Sequence, residues 1–199
     1  MKKSRRGFTL VELAIVLVII GLLLGAILKG QELINNAKLK RLYSMKQEVL
    51  ASLYTYYDKF NAYPGDDLKA TEHLGTDETV NGDGDGIIDN GPNYKCTDNT
   101  TEACAFWEHL RLANILTGDG VENPRNPYGG AVSIANNYTI QGKRGNWITF
   151  DNLPEEAAMA IDVKYDDGKY DSGSIRASGN SDYNLNDTSD TRRDLFFEY

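Results

Sequence analysis

The hydrophobic pattern changes character twice along the chain. From Phe8 to Leu28 all 21 positions are apolar or glycine except Thr9 and Glu12. As a helix rising ~1.5 Å per residue this stretch is ~32 Å long, enough to cross a bilayer core of ~30 Å. It passes without a turn signal into Gln31 to Phe60, where Leu39, Leu42, Met45, Val49, Leu53, Tyr56 and Phe60 recur at three- and four-residue spacing. No proline falls between Phe8 and Asn61, so the pattern predicts one continuous helix, spanning over 8–28 and amphipathic over 29–61. A cleavable secretory signal would need a shorter apolar core and a small-x-small cleavage site, and the segment has neither.

Tyr63-Pro64-Gly65-Asp66-Asp67 ends this periodicity with turn chemistry. Beyond it, residues 62–199 read as a separate globular part of short elements. Phe106, Trp107, Leu110, Ile115 and Leu116 fit a short amphipathic helix ending at Gly118. Ala131 to Ala135, Tyr138 to Gln141 and Asn146 to Phe150 read as strands, parted by turns at Asn136-Asn137 and Gly142 to Gly145. Pro154 followed by two glutamates marks the start of a helix over Glu155 to Val163. Gly173 to Ala177 and Leu195 to Phe197 supply further strands, with the polar residues 178–194 as a loop. The expected class is α+β: a long N-terminal helix packed on a small antiparallel sheet.

Charge refines this division. The 199 residues carry 21 Lys+Arg against 29 Asp+Glu, a net charge of -8, which disfavours nonspecific nucleic-acid binding by the whole surface. The bases Lys2, Lys3, Arg5 and Arg6 precede the apolar run, while most acids lie beyond residue 58. That polarity predicts a cytoplasmic N-terminus and an exported domain on a single membrane pass. Lys38, Lys40 and Arg41, just outside the span, are expected to touch lipid or other subunits. Two cysteines, Cys96 and Cys104, stand close enough in sequence for one loop disulfide, the alternative being two buried thiols; zinc would want about four Cys/His ligands.

Asn81-Gly82-Asp83-Gly84-Asp85-Gly86-Ile87-Ile88-Asp89 alternates oxygen-bearing side chains with glycine. This is the opening of a calcium-loop pattern, in which a tight turn aims several hard oxygens at one cation. Asn81, Asp83, Asp85, the Ile87 carbonyl and Asp89 are the candidate ligands. Pro92 stands where an EF-hand has its bidentate glutamate, so the loop is not a complete EF-hand, and Asp66, Asp67, Asp98 and Glu102 are the candidates for a further ligand. An acidic surface turn without metal is the competing reading. A second cluster, Asp162, Asp166, Asp167 and Asp171 around Gly168, lacks the alternation and reads as an ordinary turn. The only histidines, His73 and His109, accompany no nucleophile, metal-ligand pair or phosphate loop, so both are expected at the surface or in packing, and no enzyme is expected. The aromatic run Tyr43, Tyr54, Tyr56, Tyr57, Phe60 and Tyr63 is expected to serve core and subunit contacts.

Glu12 is costly inside a span, ~2.5 to 3.5 kcal/mol at its centre, unless paired or at the interface. Its context supplies a partner. Lys2-Lys3-Ser4-Arg5-Arg6-Gly7-Phe8-Thr9-Leu10-Val11-Glu12-Leu13 resembles the class III leader of type IV pilins and type II secretion pseudopilins. Asn61-Ala62-Tyr63-Pro64 resembles their helix-to-domain junction. The resemblance implies cleavage between Gly7 and Phe8 by a prepilin peptidase and N-methylation of Phe8. It also implies pairing of Glu12 with the Phe8 amine of a neighbouring subunit during assembly on an inner-membrane platform. Loss of residues 1–7 removes four bases and no acid. The chain departs from many major pilins in lacking a proline within the apolar segment, where Gly21 and Gly25 stand instead. The resemblance thus implies a structural subunit of a type II secretion pseudopilus or type IV pilus-like filament. An adhesive, motility or DNA-uptake pilin, and a tethered calcium-dependent binding module, are the alternatives.

Overall fold

The computed structural model describes residues 9–77, 79–184 and 191–199. It contains α1 (Leu10–Phe60), α2 (Ala70–Leu74), α3 (Glu102–Leu112), β1 (Val132–Ile140), β2 (Lys143–Pro154), α4 (Glu155–Tyr165), β3 (Ile175–Ala177) and β4 (Arg192–Glu198). The chain divides into two units, one ending at Lys38 and one spanning Leu39–Tyr199.

In the first unit α1 runs through Gly21, Gly25 and Gly30 without a break. Its large apolar side chains from Leu10 to Leu28 are all exposed, Leu10 by 87% and Leu28 by 67%. An uncovered stripe of this kind is an ordinary lipid-facing or partner-facing helix surface and would be untenable in water. α1 is long and apolar enough to cross a membrane.

The second unit is built on the outer half of α1. Leu42, Met45, Val49, Ser52, Leu53 and Tyr56 are buried at the spacing the sequence predicts. Asn61 ends the helix with a positive φ of 53°, its amide bonded to the Tyr57 carbonyl at 2.7 Å. The four strands form one antiparallel sheet in the order β1-β2-β4-β3. Val132, Ile134, Ile148, Phe150, Leu195 and Phe197 join the α1 residues and Phe106, Trp107 and Leu110 of α3 in a single core. Trp147, Ile140 and Phe196 form a smaller cluster of their own.

Several boundaries differ from the sequence expectation for identifiable reasons. Asn136-Asn137 is a bulge inside β1: the register shifts between Ala135 and Tyr138 and Asn137 takes φ 55°. The same residue types serve turns and bulges, and here the strand continues. The hairpin turn is the two-residue Gln141-Gly142, both at positive φ, so Lys143 and Gly145 belong to β2. α3 ends at Leu112, since Asn114 at φ 58° turns the chain and the amides of Ile115 and Leu116 bond back to Leu110. α4 runs two residues beyond Val163, and β4 begins at Arg192. α2 was not expected from the pattern; Gly75, left-handed at φ 67°, caps it.

Candidate functional site

At the start of α1, Thr9 and Glu12 form a reciprocal cap. The Thr9 amide and hydroxyl each donate to the Glu12 carboxylate at 2.8 Å, and the Glu12 amide donates to Thr9 Oγ1 at 3.2 Å. This is a capping box, in which two otherwise unsatisfied helix-start amides find side-chain acceptors. Its Thr-x-x-Glu spacing is visible in the sequence and gives Glu12 an intrachain role beyond the one the leader resemblance implies. Gly7 and Phe8 lie outside the described residues.

The acidic loop is organised by groups distant from it in sequence. Asp66 reaches into it and accepts from the amides of Gly84 at 2.8 Å, Asp85 at 3.1 Å and Gly86 at 2.9 Å. Glu102, the first residue of α3, accepts from the amides of Asp83 at 3.0 Å and Asp89 at 2.9 Å. Gly82 lies so close to the preceding turn that a Cβ there would stand 2.4 Å from the Asp66 Cα and the Gly65 carbonyl, so only glycine fits. His109 of α3 is fully buried behind this turn. Its Nδ1 accepts from the Gly65 amide and its Nε2 faces the Val80 carbonyl, each at 3.0 Å. The ring is therefore neutral with its proton on Nε2, and burial holds its pKa below the ordinary value. It ties together the two ends of the excursion that carries Asp66 and leads into the loop.

Asp66, Asp83 and Asp85 can each bring a carboxylate oxygen to within 4.8 Å of the others. Two of the sequence candidates are thus joined by one of the four residues named as a possible completing ligand. Of the remaining candidates, Asn81 accepts through Oδ1 from the Thr71 amide at 2.9 Å, Ile87 is half-buried and Asp89 is exposed. Asp67 is engaged elsewhere, receiving the Tyr56 hydroxyl at 2.8 Å and the Lys69 amide at 2.9 Å and pairing with His73 at 2.7 Å. Burial pushes Asp67 up, but His73, Lys69 and Tyr56 outweigh it and hold the carboxyl below its usual range. Asp98 accepts from the amide and hydroxyl of Thr100.

Burial raises the pKa of Asp66; the Gly86, Gly84 and Asp85 amides oppose this, while the Asp85 charge adds to it. Glu102 is raised in the same way, by burial and then by Asp66 and Asp83. Crowded oxygen donors of this kind fit a hard divalent cation in chemistry, since a cation relieves their mutual repulsion. The Cys96–Cys104 disulfide, with Cα atoms 5.2 Å apart, fastens the chain beyond the loop to the first turn of α3. α3 therefore carries Glu102, Cys104 and His109, three separate attachments of the acidic region.

Next to the loop, a cleft of about 460 Å³ opens at the end of α1, lined by Tyr57, Phe60, Tyr63, Leu68, Asp66 and Asp67 among others. Tyr57 packs on Tyr63 with ring centres 4.9 Å apart, and Phe60 stacks on His73 at 5.0 Å. Elsewhere, Asp162, Asp166 and Asp167 also approach within 4.8 Å. Their oxygens accept from Gly168, Ile175, Lys169, Ser172 and Tyr183, and Asp162 itself is fully buried.

Residues 2–28 match the family model of the prokaryotic N-terminal methylation motif. This is the hallmark of prepilin-type cleavage in type IV pilins and pseudopilins, and it points to a pilin-like structural subunit anchored by a single membrane pass. No curated protein and no solved structure matches the chain. The long apolar helix followed by a four-stranded antiparallel sheet is the α+β arrangement of a pilin-like fold.

Proposed function

We propose that the chain is a structural subunit of a type II secretion pseudopilus or type IV pilus-like filament. One observation carries this reading: the methylation motif leads directly into a helix whose fourteen large apolar side chains between Leu10 and Leu28 are exposed. Burying each is worth ~1.5 to 3 kcal/mol, so the segment needs a continuous apolar surrounding. Lipid supplies it before assembly, and the helices of neighbouring subunits supply it afterwards.

In this account a prepilin peptidase cuts between Gly7 and Phe8, and the new Phe8 amine is methylated. The domain stands in the periplasm while an inner-membrane platform feeds the subunit into the filament. Glu12 receives the Phe8 amine of a neighbour, which turns a costly carboxylate into a paired one and fixes the axial register. Calcium bound by Asp66, Asp83 and Asp85, with Asn81, Ile87 and Asp89 as further candidates from the loop pattern, would hold the acidic region rigid.

Glu12→Ala separates pairing from capping when set beside Thr9→Ala. If Glu12 acts between subunits, Glu12→Ala leaves the protein in the membrane and removes it from sheared filaments, whereas Thr9→Ala retains most incorporation. Equal incorporation of Glu12→Ala and wild type would sink the assembly role. A deletion strain scored for both protein secretion and surface filaments then assigns the system.

A further inference from the structure

We propose that Asn90 is a site of self-modification, in which the Gly91 amide nitrogen attacks the Asn90 side chain and water completes its conversion to aspartate or isoaspartate. The fold holds the other Asn-Gly pair of the chain against the same reaction. This chemistry is independent of the filament reading.

The two pairs are Asn81-Gly82 and Asn90-Gly91, one at each end of the acidic loop. Glycine has no Cβ to shield its nitrogen, so ring closure meets the least hindrance there. At the reacting pair the Gly91 nitrogen gives its proton to solvent and bonds to Asn90 Cγ. The Cγ–Nδ2 bond breaks and the side-chain nitrogen leaves as ammonia. Water then opens the ring at either carbonyl, so the net change is hydrolysis of one amide, with nothing oxidised or reduced.

The structure treats the two pairs differently. Asn81 Oδ1 accepts from the Thr71 amide at 2.9 Å, and the Gly82 amide donates to the Asp67 carbonyl at 3.0 Å. Gly82 is also wedged against the backbone of Gly65 and Asp66. The attacking nitrogen is thus engaged and its target is fixed, so the ring closes only after the loop opens and gives up these bonds. Asn90, by contrast, is exposed and stands at φ 87°. Neither its side chain nor the Gly91 amide is hydrogen-bonded among the described residues. A Cβ at Gly91 would press on the Tyr138 ring at 3.2 Å, so the residue type that permits the reaction is also the one that packing favours.

The segment around Asn90 ties the acidic loop to the edge of the sheet. The Ile88 carbonyl accepts from the Asn136 amide at 3.4 Å, and the Asn93 amide donates to Ser133 Oγ at 2.8 Å. Conversion places a new carboxylate beside Asp89, and isoaspartate also lengthens the main chain between those two attachments. Each copy thereby records its age as an added negative charge.

The test incubates the full-length, detergent-solubilised chain in mildly alkaline buffer made with oxygen-18 water and follows both pairs by peptide mass mapping. In the folded chain Asn90 is expected to convert at least tenfold faster than Asn81, with the label in the product. In denaturant the two rates should agree within twofold, since each asparagine precedes glycine. Isoelectric focusing should show an acidic isoform growing in the wild type and absent from Asn90→Gln. Equal conversion of Asn81 and Asn90 in the folded chain overturns the proposal. So does an unchanged Asn90 over a time in which the denatured chain converts, or an acidic isoform that grows equally in Asn90→Gln.

Discussion

Asp162 is fully buried, with its oxygens held by the Tyr183 hydroxyl at 2.7 Å and the Gly168 amide at 3.1 Å. Burial pushes its pKa up to about 6, the two hydrogen bonds oppose the shift, and Asp166 and Asp167 add to it. Between about pH 4 and pH 6 the folded chain therefore holds a proton that the unfolded chain releases, and stability from this group falls as pH rises through that window. His109 has the opposite sign. Its folded pKa lies below the ordinary 6.5, so its contribution is present above that value and is lost as pH falls below it. Asp162→Asn keeps an acceptor for Gly168 and removes the first effect. The variant should be more stable than wild type at pH 7 by on the order of 2 kcal/mol and about equal to it near pH 4. Its acid destabilisation should be correspondingly steeper, because His109 then acts unopposed. Thermal unfolding followed by fluorescence reads this directly, since Trp107 and Trp147 are both fully buried. A stability difference that does not vary with pH would exclude the assignment.

Among the elements, α3 is the support on which the acidic loop depends. Replacing Cys96 and Cys104 with alanine should cost ~2 to 3 kcal/mol, measured as a lower midpoint in denaturant for the detergent-solubilised chain. If calcium occupies the loop, added calcium should raise the melting temperature relative to chelator, and Asp66→Asn should remove most of the difference. An identical melting temperature in both conditions would rule the metal out. The periodic residues of α1 and the Pro154-Glu155-Glu156 helix start were legible in the sequence because their signals are local. The Asp83 and Asp85 alternation was legible for the same reason. Asp66 appeared in the sequence only as one of several residues able to complete the site, since its approach to Gly84 and Gly86 crosses 18 to 20 residues. The bond from Gly65 to His109 crosses 44 residues and leaves no periodic trace. Ile115 and Leu116 misled for a related reason: their apolar spacing continues past the point where Asn114 turns the backbone.

For the whole molecule, the proposed processing would make the charge more negative. The chain as translated carries 21 bases against 29 acids, and cleavage before Phe8 would leave 17 against the same 29. Mass spectrometry of the membrane-extracted protein should find an N-terminal peptide beginning at methylated Phe8, and a peptide retaining residues 1–7 in the mature pool would contradict the cleavage.

The cap between Thr9 and Glu12 begins at the second residue past the bond between Gly7 and Phe8, where cleavage is proposed. None of its three hydrogen bonds uses an atom of the leader. These bonds of the first turn of α1 therefore belong to residues that cleavage after Gly7 would leave in place. Cleavage at that bond would act through charge: the four basic side chains of the leader would leave, and the new Phe8 amine would stand four residues ahead of the Glu12 carboxylate that the cap already holds.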